Sequence, residues 1–137
     1  MKRYIVTGAS SGIGKSCAKR LIENGNQVIM VARNENLMRI AVKDNGNAVV
    51  IKEDLSKYGA GETVIEKLEE LKLLPIDGLV HCAGIAPLKK IEENTIDLVT
   101  NAFETNVFSF VDMVEALKNR GGTAECVGCR NVFCYSR

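Results

Sequence analysis

An α/β domain built on a doubly wound parallel sheet is the fold this sequence predicts. Three observations carry that expectation. Short runs of aliphatic and β-branched residues alternate with helix-length segments along most of the chain, as parallel strands joined by right-handed crossovers require. The runs are nearly continuous in hydrophobicity instead of alternating, which marks strands covered on both faces. A glycine-rich stretch falls between the first run and the first helical segment, where sheets of this kind hold ligands.

Taken in order, strands are predicted over residues 3–7, 27–31, 48–51 and 76–81. Between the first two, Ile13, Cys17 and Leu21 recur every four residues, and Asn24-Gly25 supplies a helix stop. Leu37, Ile40 and Ala41 mark a second helix closed by Asn45-Gly46, and Val64, Ile65, Leu68 and Leu71 mark a third that ends near Pro75. A long amphipathic helix follows, because Ile96, Val99, Phe103, Val107, Phe110, Val114 and Leu117 keep a three-and-four spacing as far as Gly121-Gly122. From Thr123 to Arg137 neither periodicity persists, and three of the five cysteines fall in that stretch. Residues 1–122 are therefore expected to form one incomplete domain, and residues 123–137 a divergent tail.

Composition narrows the function classes. A chain of 137 residues has room for one domain of the common size, about 100–200 residues. The 18 Lys plus Arg against 17 Asp plus Glu leave a net charge of +1, too weak a field to recruit nucleic acid or an anionic membrane. Met1-Lys2-Arg3 leads into only Tyr4, Ile5 and Val6, too few for a signal-peptide core and far short of the roughly 20 apolar residues of a membrane span. A cytoplasmic protein is expected. Cys17, Cys82, Cys126, Cys129 and Cys134 are odd in number, so reduced thiols are expected in place of a disulfide framework. Cys126-x-x-Cys129 with Cys134 lacks a fourth ligand for zinc, and no metal site is expected.

The chemistry concentrates in Thr7-Gly8-Ala9-Ser10-Ser11-Gly12-Ile13-Gly14. Glycines at 8, 12 and 14 permit a tight bend and close approach of backbone N–H groups to a phosphate, and the helix that follows aims its positive end at the same place. The spacing is GxxxGxG, not the GxGxxG of the usual dinucleotide fingerprint. Thr7 to Gly14 resembles the TGxxxGIG cofactor motif of the classical short-chain dehydrogenases and reductases, and the resemblance extends over residues 1 to about 122. Asp54-Leu55 looks like the pair beside the adenine ring, and Cys82-Ala83-Gly84 like the end of the NNAG motif. Asn106, within Glu104-Thr105-Asn106-Val107, matches the helix asparagine that helps hold a water-mediated proton relay. Resemblance thus implies a Rossmann-like sheet of order 3-2-1-4, with at most part of a fifth strand, and a nicotinamide dinucleotide as partner. Gly8, Ser10, Ser11, Gly12, Ile13, Gly14, Asp54, Leu55, Ala83 and Gly84 are the implied cofactor-binding residues.

Arg33 joins them on chemical grounds. At the end of the second strand NAD enzymes place an acid that bonds the ribose 2′-OH, whereas this chain has Ala32-Arg33, and a guanidinium there pairs with a 2′-phosphate. NADP is expected over NAD. His81-Cys82 departs from the family's Asn-Asn, and the lone His81 reads as a hydrogen-bonded structural residue.

Shifted by one residue, Ala9 to Ser16 ends in the Gly-Lys-Ser of a P-loop. The leading glycine is missing, Asp77 begins its strand instead of ending it, and Ala83-Gly84 and Asn106 go unused, so a P-loop hydrolase ranks below an oxidoreductase. The family's proton donor is a tyrosine followed four positions later by lysine, with a serine upstream. Here Gly8 follows Tyr4 and Glu62 follows Tyr58 at that spacing, and Tyr135 has no residue at 139. The chain therefore reads as a truncated form, inactive alone, with a non-catalytic NADP-binding module as the alternative. The fourth strand is expected at a sheet edge, and the long helix resembles one that packs between subunits, so self-association as a homo-oligomer is expected.

Overall fold

The computed structural model describes residues 1–43 and 45–120. Four parallel strands, β1 (Arg3–Thr7), β2 (Gln27–Ala32), β3 (Ala48–Lys52) and β4 (Gly78–His81), form one sheet in the order β3-β2-β1-β4. Three crossovers carry α1 (Gly12–Glu23), α2 (Glu35–Val42) and α3 (Ala60–Glu70). Beyond β4 come a short 3₁₀ turn (Ile91–Glu93), α4 (Ile96–Phe103), a π-helical turn (Glu104–Phe108) and α5 (Ser109–Arg120).

The continuous hydrophobicity of the strands is explained by two separate cores. Ile5, Ile29, Val31 and Ile51 face α3 and α5 and pack with Val64, Ile65, Leu68 and Met113. Val6, Val28 and Met30 face the other way and pack with Ala18, Ile22 and Met38 of α1 and α2. The apolar residues of the strands thus have a core to pack against whichever way they point.

Several expected contacts shift by a residue. Helix α1 buries Gly14, Ala18 and Ile22, with Ile13, Cys17 and Leu21 only half-buried beside them. Small residues at 14 and 18 bring that helix close to the sheet. In α2 the buried residue is Met38, while Ile40 is 70% exposed, because this two-turn helix lies at the sheet's outer flank and meets it along a narrow stripe. Leu71 is exposed just past α3. Strand β4 starts at Gly78 instead of residue 76: the Asp77 carboxylate accepts the Arg3 N–H at 2.7 Å, so a side chain takes the donor that regular pairing would use. Ile76 remains buried in the core.

The single long helix of the sequence reading is broken by the π turn, in which the Ser109 N–H reaches back five residues to the Glu104 carbonyl. Such a turn adds a residue to the helical repeat and swings the two halves onto different faces. Helix α5 packs on α3, where a Cβ added to Gly61 would stand 2.7 Å from the Asp112 carbonyl oxygen and the Asp112 carboxylate accepts the Gly61 N–H at 2.7 Å. Replacing Gly61 by Val is expected to cost about 2–3 kcal/mol in a urea unfolding titration, since backbone on both sides must part. Gly121, Gly122, the tail 123–137 with its cysteines and Tyr135, and any partial fifth strand lie outside the described residues.

Candidate functional site

The carboxyl ends of the strands open into a cleft of about 230 Å³. Register brings Thr7, Val31 and His81 level at this edge, so the loops after β1, β2, β3 and β4 converge as they do at the switch point of doubly wound sheets. Gly8, Ser10, Ser11, Gly12, Ile13 and Gly14 line one wall, Arg33, Asp54 and Leu55 the floor beyond it, and Ala83 and Gly84 the opposite side. The ten residues the resemblance assigned to a cofactor, together with Arg33, all meet at this cleft.

The glycines do different work. Gly8, at φ +62°, has no space for a side chain, since its Cβ would lie 2.6 Å from the Cys82 carbonyl oxygen; a Cβ at Gly14 would strike the Gly8 carbonyl. These two positions let the bend, α1 and the β4 loop nest together. Gly12, at φ +52°, meets nothing within 4 Å and borders the cleft. Helix α1 begins there with no side-chain cap from Ser11 and no acidic residue in its first turn. By contrast Asn34 caps α2 through the Leu37 N–H at 3.1 Å, and Thr95 caps α4 through the Leu98 N–H at 3.3 Å. A glycine cradle and an uncapped helix N-terminus fit a diphosphate.

Arg33 is exposed and borders a second recess with Asn34, Glu35, Asn36 and Lys52. Lys52, the last residue of β3, puts a second cation beside Arg33; its place one residue past an apolar strand was the only cue in the sequence. Asp54 accepts from the Ser56 hydroxyl at 2.7 Å and the Ser56 N–H at 3.1 Å. These bonds, the hydroxyl first, outweigh partial burial and hold the carboxyl below its usual range, with Arg33 and Lys57 contributing. Leu55 is nearly buried and packs into the α3 core, so it offers the cleft little side-chain surface.

Asn106 sits in the π turn with both ends of its amide engaged: Oδ1 accepts from the Ile85 N–H at 2.7 Å and Nδ2 donates to the Ile85 carbonyl at 2.8 Å. The helix thereby clamps the segment after Gly84, and a Cβ at Gly84 would meet Asn106 Oδ1 at 3.2 Å. Ile85 and Thr105 border the cleft and were not singled out from sequence.

Two residues that a P-loop hydrolase would use lie away from the cleft. Ser16 donates to the Gly12 carbonyl at 3.1 Å on the exposed side of α1, and Asp77 is bonded to Arg3 at the opposite end of the sheet. Among the described residues no group of three or more His, Cys, Asp or Glu could hold a metal ion, and no helix is long and apolar enough to cross a membrane.

His81 is buried, and burial pushes its imidazolium down to about 4 from the usual 6.5. The unfolded chain binds this proton near 6.5 and the folded chain only near 4, so the stability held by the neutral ring is complete above pH 6.5 and drains away as pH falls towards 4. Urea midpoints between pH 7 and 4 are expected to fall by the equivalent of about 3 kcal/mol. That slope should flatten in His81→Asn, whose remaining pH dependence comes from carboxylates.

Comparison with known proteins supports the fold. The family model described as short chain dehydrogenase matches residues 2–121. A 3-dehydrosphinganine reductase of Danio rerio is 35% identical over 116 residues, covering 78% of this chain and 35% of that protein. A short-chain dehydrogenase from Streptomyces avermitilis superposes with a TM-score of 0.79 at 28% identity, over 87% of this chain and 45% of that one. A variant of actinorhodin polyketide ketoreductase solved with NADPH gives a TM-score of 0.79 at 28% identity, over 88% of this chain and 48% of that one. The chain thus spans about a third of the sequence relative's length and just under half of the two solved chains.

Proposed function

The chain belongs to the short chain dehydrogenase family, and from that premise we propose that residues 1–122 form the coenzyme-binding domain of an NADP(H)-dependent oxidoreductase. The coenzyme, when bound, supplies or accepts the hydride exchanged with a carbonyl or alcohol carbon. The observation that carries this reading is the glycine cradle at the strand ends, open at Gly12 and backed by the uncapped start of α1. Backbone N–H groups of residues 10–14 bind the diphosphate, and Asp54 and Leu55 border the adenine. Ala83 and Gly84 bring backbone against the nicotinamide ribose. Preference for NADP over NAD is supported by Arg33 with Lys52 beside it, two cations suited to a 2′-phosphate, and by the NADPH bound in the related ketoreductase.

Asn106 is assigned to the proton relay. Because both ends of its amide bond Ile85, it acts on that relay through its backbone. No tyrosine in the 137 residues is followed four positions later by lysine, so these residues bind coenzyme and do not by themselves turn over a ketone. The same cleft would also serve the second reading, a nucleotide-binding module without chemistry. Residues 123–137 are treated as a separate tail, and the cytoplasm as the site of action.

Fluorescence titration with NADPH tests the proposal. Saturable binding that NADH matches only at higher concentration is expected, without NADPH consumption when simple ketones are added. No binding would remove both readings, and steady consumption would restore catalysis to the 137 residues.

Self-association is proposed from the apolar side of α4, the π turn and α5. Phe103 is 51% and Phe108 56% exposed, with Val99, Val111 and Val114 also exposed along the same helices, a run of exposed apolar side chains of the kind that marks a contact between proteins. Sedimentation is expected to show dimers or larger species that persist on dilution to micromolar concentration.

A further inference from the structure

We propose that His81 is a positioning residue: in its Nε2–H form the ring links the π turn to Thr7 and thereby holds the Cys82–Gly84 segment that walls the cleft. This rests on the coenzyme reading of the cleft, but its geometry is independent of any ligand.

The polarity of the hydrogen-bond chain follows from counting protons. Thr7 Oγ1 accepts from the N–H groups of Cys82 and Ala83, both at 3.1 Å, which occupies its two lone pairs. Its one proton is left for His81 Nδ1, 2.9 Å away. An Nδ1 that accepts leaves the neutral ring protonated at Nε2, and that N–H faces Ser109 Oγ at 3.2 Å. Ser109 in turn donates to the Thr105 carbonyl at 2.5 Å. Every donor meets one acceptor, and only one tautomer satisfies the whole chain.

The chain spans the site. Thr105 belongs to the π turn next to Asn106 and borders the cleft, Thr7 ends β1 directly before the glycine bend, and Cys82 and Ala83 form the opposite wall. The Phe110 ring lies 5.4 Å from the imidazole, centroid to centroid and tilted, which restricts its rotation. The resemblance places asparagine at this position, and its shorter side chain reproduces the Nδ1 acceptor while leaving Ser109 unreached.

His81 is the only histidine in the sequence, so a chain labelled with ¹⁵N-histidine gives one imidazole to observe. At pH 7 the spectrum is expected to show a protonated Nε2 and an unprotonated Nδ1. A ring protonated at Nδ1, or one averaging between the two tautomers, would overturn the inference without touching the coenzyme reading. His81→Phe keeps ring volume and removes both bonds. The amide protons of Cys82 and Ala83 are then expected to exchange about tenfold faster, and NADPH affinity to fall about tenfold. His81→Asn restores both to within about threefold, because the acceptor for Thr7 returns. Unchanged exchange in the Phe variant contradicts the proposal. If that variant does not fold, Ser109→Ala decides: the tautomer fixed by the Thr7 proton is expected to remain while the Cys82 and Ala83 amides exchange about threefold faster, and unchanged exchange is contradictory. Failure of the wild-type chain to bind NADPH, with the tautomer as stated, would remove the coenzyme reading alone.

Discussion

Gly12→Val is expected to weaken NADPH binding by about 100-fold, or ~3 kcal/mol, while the chain stays folded. A Cβ added there meets no protein atom within 4 Å beyond its own turn, so packing is little disturbed. The cost to the fold is the left-handed backbone at φ +52°, of order 1–2 kcal/mol for a residue bearing a Cβ. What it does obstruct is the approach of a diphosphate to the N–H groups at the start of α1, and binding there depends on that close approach. Gly14→Val makes the useful contrast. Its Cβ would collide with the Gly8 carbonyl, backbone that cannot yield without opening the bend, so that variant should lose its cooperative unfolding transition along with binding. Denaturation and NADPH titration on the two variants together separate a blocked phosphate site from a broken fold. Comparable stability loss in both, or tight binding by Gly12→Val, would contradict the roles given to them.

Reversal of coenzyme choice is the second large effect. Arg33→Asp is expected to lower NADPH affinity by about 100-fold and to raise NADH affinity several-fold, inverting the ratio of the two dissociation constants. The guanidinium faces the recess it shares with Lys52, and a carboxylate in its place repels a 2′-phosphate while accepting a ribose 2′-OH. Lys52 keeps some attraction, so Arg33→Asp combined with Lys52→Ala should invert the ratio further. Salt sharpens the test, because the 2′-phosphate adds charge met by exposed Arg33, so NADPH affinity falls more steeply with ionic strength than NADH affinity. A ratio unmoved by Arg33→Asp would show that the 2′-position lies elsewhere.

The sheet was legible in the sequence because each strand is a compact apolar run. The glycine bend was legible because phosphate binding by backbone demands residues without a Cβ at a fixed distance from a strand end. What escaped was set by contacts distant in the chain. Nothing local foretells the π turn at 104–108, since Val107 and Phe110 keep an unbroken helical spacing; the turn accompanies Asn106 reaching Ile85 and Ser109 reaching Thr105 and His81. The start of β4 was misjudged because Asp77, which reads as an ordinary loop acid, takes the N–H of Arg3 from 74 positions away. Ile40 is the more hydrophobic of the pair Met38 and Ile40 on paper, and only the placement of α2 over the outer strands decides that Met38 is buried and Ile40 exposed. His81 could be read as structural from its isolation, but its partners Thr7 and Ser109 depend on the β1–β4 register, in which Thr7 stands opposite His81.

Titration of the ¹⁵N-labelled chain with NADP⁺, followed by backbone amide resonances, is the most direct trial of the coenzyme site. The largest saturable shifts are expected at residues 8–14, with smaller ones at Arg33, Asp54, Ala83 and Gly84. Shifts confined to other surfaces, or no movement in the glycine bend at saturating NADP⁺, would contradict the assignment.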